Sequence, residues 1–364
     1  MPQQSPVRVD EGALLARLGP DATRFELTGA SVVVGATEIL IIADAGDDLA
    51  SSGVWNESLF RLAGEVPEAA AQALSGFTDF WSFEEPQQRP IHVAVRVGTA
   101  CLLLGGVRFG CGGPDHYEFK FFEPLDREVL DAVRPPGPDP LLPAPVWVGL
   151  VTDRPQQALT LFVESWFPES PPRNAAPSAE AVPTALAAFY RLAEGRPKML
   201  GTQNYMHRPQ ENGHDRDGEY IAFASENQGC WSWSCPRLPD TGDSDHSVLL
   251  TRNGLALPEQ EPLSKFLLQF LLHEATFEGP YLAHASAPAD ELLPKLRSVL
   301  RDVPLRPFMT PVHPMSFLAG PGLVAVIAAA PWNEGSATVG IGAVHRSALR
   351  PLGQLGIRWS RFDG

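Results

Sequence analysis

The chain is short of cysteine: four in 364 residues are too sparse for a disulfide framework, and free thiols in a reducing compartment are the expectation. It is also short of positive charge. Lys plus Arg number 28 against 43 for Asp plus Glu, a formal net charge of −15, which repels phosphate backbones and argues against nucleic-acid binding. A basic protein partner suits this charge better, because opposite net charge steers encounter. Long apolar runs are missing as well, the best being "GLVAVIAAA" at 322–330, far below the roughly 18 residues of a membrane helix. The opening "MPQQSPVRVDEG" lacks the basic-then-apolar pattern of a secretion signal, so a soluble, cytoplasmic protein without membrane contact is expected. Absent too are Gly-x-Ser-x-Gly, a phosphate loop ending in Gly-Lys-Ser or Gly-Lys-Thr, and Gly-x-Gly-x-x-Gly, the cheapest signatures of hydrolases, nucleotide enzymes and dinucleotide enzymes.

What is present is a hydrophobic fraction of 44%, ample for real cores, punctuated by 36 prolines. The densest proline cluster, "RPPGPDPLLPAP", lacks the amide donors that helices and central strands need. It suggests an N-terminal α+β domain at 1–133, a proline-rich linker at 134–145 and a larger domain at 146–364. In the first, "SVVVGATEILIIAD" and "RPIHVAVRVGTACLLLGGVRFGC" read as strands, "VPEAAAQALSGF" and "DREVLDAV" as helices, and "HYEFKFFE" as a further strand. In the second, "VWVGLV" and "LTLFVESWF" read as a strand hairpin around "TDRPQQA". A helix capped by Ser178 follows, its apolar face carried by Ala185, Leu186, Phe189, Tyr190 and Leu192. "EPLSKFLLQFLLHEATFEG" reads as a second apolar helix, in which His273 and Glu274 suit the C-terminal end. A short helix "ADELLPKLRSVL", strands "GLVAVIAAAP" and "ATVGIGAVH", and a helix in "HRSALRPLGQL" complete the chain. No repeat of 20 to 50 residues is visible.

The most informative stretch is "SENQGCWSWSC", residues 225–235. Glu226-Asn227-Gln228-Gly229 lies between an apolar strand and an aromatic one, and Asn and Gly both tolerate positive φ, so a tight hairpin is the expectation. Trp231 and Trp233 then share one face of the second strand and Cys230 and Ser232 the other. Such a tryptophan pair reads as core before it reads as an exposed anchor. Cys230 and Cys235 are five apart and project to opposite faces, which works against shared metal ligation; neither metal nor cofactor is expected.

Pro183, Phe189 and Tyr190 in a helix, followed by Glu226, Asn227, Gln228 and Gly229 and then Trp233, make the region 146–360 resemble the bacterial SUKH superfamily. That resemblance implies a mainly antiparallel curved sheet packed by helices, used as a non-catalytic binding module. It also implies that the module is an immunity protein neutralising a cognate toxin, commonly a basic nuclease, by direct binding. Two features of the family pattern are missing: "DSDHSVLL" stands where an acidic-proline pair is expected after the tryptophan strand, and no Asn-Gly-Gly follows the first helix. The partner-contacting or motif residues are then Glu226, Asn227, Gln228, Gly229, Trp231 and Trp233.

Two other classes compete. One is a docking subunit of an intracellular assembly. The other is a hydrolase in the N-terminal half, using Cys111 among glycines with His116 five residues on, although a glycine-rich hairpin explains the same letters. "HEATF" begins like a zincin helix but has Phe277 where the second histidine belongs. "DSDH" at 243–246 and "MHRPQENGHDRDGE" at 206–219 read as solvated loops.

Overall fold

A computed structural model of the chain describes residues 7–27, 29–45, 53–55, 58–63, 66–75, 89–112, 116–133, 140–167, 182–208, 213–214, 219–237, 245–310, 312–330 and 333–364. The protein is mixed α+β with curled, antiparallel-rich sheets and eight helices among these residues. The only parallel pairing among them joins Ile39–Asp44 to Ile91–Val97. None of the described helices is long and apolar enough to cross a membrane. The chain divides into two compact units, Met1–Asp139 and Pro140–Gly364.

The first unit is one sheet, in the order Thr23–Leu27, Ala30–Val34, Ile39–Asp44, Ile91–Val97, Ala100–Gly112, His116–Phe121, Leu59–Ala63 and Gly53–Trp55. Val7–Val9 pairs with Ala100–Gly112 as well. Val32, Ile39, Ile41, Val93 and Val95 alternate onto one face, where they meet Ala70 and Leu74 of helix Glu68–Ser75 and Leu130 and Val133 of helix Arg127–Val133. The other face packs Val33, Leu40, Ile42, Ala94 and Cys101 against Leu14 and Leu18. Helix Glu11–Arg17 starts where the Asp10 side chain accepts the Ala13 N–H at 3.1 Å.

The second unit wraps two sheets around one helix, Leu263–Glu278. That helix is largely apolar, and thirteen of its residues are buried, as expected of a helix enclosed by its unit. One sheet runs Asn204–Met206, Tyr220–Glu226, Ser232–Pro236, Leu249–Arg252, Leu255–Pro258, with Gly213–His214 also paired to Tyr220–Glu226. Its Phe223 and Trp233 meet Phe266 of the helix. The other sheet runs Arg301–Asp302, Met315–Gly320, Leu323–Ala329, Ser336–Ala343, Tyr281–Pro288, Trp359–Phe362. The helix lies so close on this sheet that a Cβ at Gly342 would collide with the Ala275 carbonyl.

The expected hairpin over 146–167 is not there. Val146–Leu150 is a 3₁₀ turn and Pro155–Trp166 an α-helix with Pro155 in its first turn. Ala158, Leu159, Phe162 and Val163 fall at helical spacing on the buried side, so tertiary packing of that stripe overrides the strand-like local composition. Residues 140–145, assigned above to a linker, belong to the second unit: Leu142 packs on its core and the Pro143 carbonyl accepts the Gly322 N–H at 2.9 Å. Helix Thr184–Ala193 begins after Pro183, and the proposed cap Ser178 lies outside the described residues.

Candidate functional site

The stretch 225–235 forms the centre of the first sheet of the second unit. Tyr220–Glu226 and Ser232–Pro236 are antiparallel, with Ser225 opposite Ser232 and Ala224 opposite Trp233. Residues 227–230 are the exposed tip. Gly229 takes φ +73°, and its N–H donates to the Glu226 carbonyl at 2.9 Å, so the turn expected from the Glu-Asn-Gln-Gly run is present. The amide side chains do not hold that turn. The Glu226 carboxylate does: it is 5% exposed, and its Oε2 accepts the N–H groups of Gln228 at 2.9 Å and Cys230 at 3.1 Å. Gln203, just before the neighbouring strand, braces the tip, its carbonyl accepting the Asn227 N–H at 3.1 Å and its Nε2 donating to Glu226 Oε1 at 3.4 Å.

Beneath the tip lies a buried polar network, centred on Glu274 of the central helix. Its Oε2 accepts from Thr202 N at 2.9 Å and Gln203 N at 3.0 Å, and its Oε1 from Asn204 N at 3.0 Å and Asn204 Nδ2 at 2.8 Å. Three successive backbone amides therefore end on one carboxylate, which gives the start of edge strand Asn204–Met206 the partners a neighbouring strand would otherwise supply. The bend that allows this passes through Gly201 at φ +77°, where a Cβ would strike the Asn204 carbonyl.

Hydrogen bonding fixes the orientation of the whole group. The Trp231 indole can only donate, and it meets Asn204 Oδ1 at 3.3 Å, so Asn204 turns its Nδ2 inward. Nδ2 donates to Glu274 Oε1 and lies 3.1 Å from His273 Nδ1. His273 Nδ1 also lies 3.3 Å from Glu274 Oε1, so Asn204, His273 and Glu274 form one buried cluster. His273 and Glu274, expected to serve the helix end, are instead the floor of the hairpin.

Trp231 and Trp233 are neighbours, ring centroids 6.4 Å apart and edge to face, but they differ in role. Trp231 is half-buried. Trp233 is 0% exposed, stacked on Phe308 at 6.0 Å and 13° and tilted against Phe266, so it serves the fold and cannot contact a partner. Its Nε1 donates to Glu259 Oε1 at 2.9 Å, and the Met309 N–H donates to Glu259 Oε2 at 3.1 Å. Burial pushes the Glu259 carboxyl up to about 7, against the lowering effect of the Trp233, Met309 and Thr310 hydrogen bonds.

The remaining candidates are placed as follows. Cys230 is exposed and Cys235 buried. No group of three or more His, Cys, Asp or Glu among the described residues could hold a metal. Asp245, expected in a solvated loop, caps the central helix: both its oxygens lie 3.2 Å from Ser264 N, replacing the side-chain cap that Pro262 cannot provide. Asp243 lies outside the described residues, as do residues 209–212 and 215–218 of the second polar run. In the first unit, Cys111 pairs with Glu118 and His116 with Ala63 in the strand ladder, and the side chains of Cys111 and His116 are outside what is described. Cys101 is 1% exposed, and burial pushes its thiol up.

Gln203, Asn204, Glu259 and Glu274 were not legible as site residues, with one exception in principle. Gln269, His273 and Glu274 interrupt an otherwise apolar helix at spacings of four and one, the signature of a polar strip that must find buried partners. Comparison with protein-family models, with curated proteins and with solved structures finds no match to this chain.

Proposed function

We propose that the protein is a non-catalytic protein-binding module, a SUKH-like immunity protein that acts in the cytoplasm and neutralises a basic bacterial toxin by direct binding. The observation that carries this reading is the braced hairpin tip. Asn227, Gln228, Gly229 and Cys230 are exposed while their backbone is tied down by Glu226 and Gln203. A loop whose backbone is already ordered loses little entropy on binding, and its amide side chains supply both donors and acceptors. Tyr205, 45% exposed and opposite Ser225 in the next strand, provides an aromatic anchor of the kind that dominates interfaces. The net charge of −15 favours a basic partner and a fast, salt-sensitive encounter.

The test is capture of partners by the tagged full-length chain from its native lysate, at low and high salt, read by mass spectrometry. The reading expects one basic protein in 1:1 ratio, released by salt. A multi-protein assembly that survives salt would favour a docking subunit instead, and recovery of no partner would end the proposal.

A further inference from the structure

The face of the first sheet turned away from the central helix carries a serine and a histidine in contact. Met206 is 2% exposed and points inward, so alternation along its strand sends Tyr205 and His207 to the outer face. His207 continues that strand by one residue, its N–H donating to the Phe223 carbonyl at 2.8 Å. In the adjoining strand Ala224 is buried and Ser225 half-buried, and a bulge interrupts the register between Ala222 and Ala224. At that bulge the Ala222 carbonyl lies 3.1 Å from His207 Nδ1, while His207 Nε2 lies 2.9 Å from Ser225 Oγ.

We propose that Ser225 is an acyl-acceptor site: a nucleophile for which His207 is the general base and the Ala222 carbonyl the group that orients the base. A carbonyl oxygen can only accept, so Nδ1 carries the ring proton. The lone pair of the neutral imidazole is then on Nε2, where it meets the Ser225 O–H. Nucleophile, base and orienting group thus stand in sequence, each within hydrogen-bond reach of the next.

In the reaction Ser225 Oγ attacks the acyl carbon as its proton passes to His207 Nε2. The new C–O bond forms, the bond to the leaving group breaks with its electron pair, and the proton returns from Nε2 to the leaving group. The two amides that follow Ser225 are engaged elsewhere, that of Glu226 with the Trp231 carbonyl at 3.0 Å and that of Asn227 with the Gln203 carbonyl at 3.1 Å, so they offer no oxyanion hole. The substrate class is therefore an ester whose leaving group departs readily, such as an acyl phosphate or an aryl ester, and the product ester stays on the chain. A single transfer without turnover modifies the protein. It is compatible with a non-catalytic binding module and does not rest on that reading.

The test treats the full-length chain with p-nitrophenyl acetate and reads acetylation residue by residue by peptide mass spectrometry. Ser232, directly opposite Ser225 in the ladder and half-buried like it, is the internal control. Ser225 should be acetylated about a hundredfold faster than Ser232, the scale of general-base assistance. In His207→Gln, whose amide can still bond the hydroxyl but takes no proton, its rate should fall to that of Ser232. A hydrogen bond of purely structural role would leave the two serines equal. Equal rates in the wild type, or an unchanged Ser225 rate in the variant, would overturn the proposal. Should the variant not fold, the wild-type comparison of the two serines decides alone.

Discussion

Glu274 and Glu259 sit in the same unit, 1% and 8% exposed, yet they meet different surroundings. Glu274 receives three consecutive backbone amides and an asparagine side chain, and all of them bind the hairpin root to the central helix. Glu259 receives one indole and the backbone of a strained turn, and its carboxyl is pushed up to about 7 by burial. Depth alone therefore does not decide what a buried carboxyl does. Its donors decide what it joins: those of Glu274 tie the hairpin root to the central helix, and those of Glu259 tie the Met309 turn to Trp233.

The largest effect should come from emptying the full site. Glu274→Leu leaves the amides of Thr202, Gln203 and Asn204 and the Asn204 side chain without acceptors, and should destabilise the second unit by about 3–5 kcal/mol in chemical denaturation. A loss below about 1 kcal/mol would mean that the four bonds contribute little and would erase the contrast. Next in size is the pH dependence set by Glu259. Its folded value lies above the unfolded one, so its contribution is fully present below about 4.5 and is lost as pH rises towards 7. At about 1.4 kcal/mol per unit, the wild type should lose roughly 3 kcal/mol over that window relative to Glu259→Gln, measured by denaturation across the range. Acid thus removes the cost of a buried charge. Parallel pH profiles for the two proteins would count against a titrating Glu259.

Trp231→Phe sharpens the comparison from the side of the full site. It removes the donor that sets the Asn204 amide and should cost about 1 kcal/mol, with faster exchange of the Asn227 and Gln228 amides. If those amides keep their protection, the tip does not depend on the network beneath it. The smallest stability effect belongs to the tip itself: Asn227→Ala with Gln228→Ala should change stability by no more than about 0.5 kcal/mol, since their side chains are exposed.

The elements that carry the site were readable where local chemistry decides them. Gly229 and the polar run before it signal the turn, and the dense apolar positions of helix 263–278 announce its burial. Residues 146–167 look strand-like because β-rich letters such as Val-Trp-Val mask the helical spacing of Ala158, Leu159, Phe162 and Val163. The carboxylate sites were out of reach for a different reason. Asn204 and Glu274 are 70 residues apart, Trp233 and Glu259 26, and Glu259 and Met309 50, so no local window contains both partners. Glu226 was singled out as part of a motif, but its role, accepting two amides of its own turn, depends on a side-chain direction that spacing does not specify.

The most direct test of the tip as the contact surface is quantitative capture from the native lysate by the wild type and by the Asn227→Ala, Gln228→Ala double variant, with the fold of each checked by denaturation. The account predicts that the variant keeps its stability and loses the basic partner at least tenfold. Undiminished capture by an equally stable variant would contradict it.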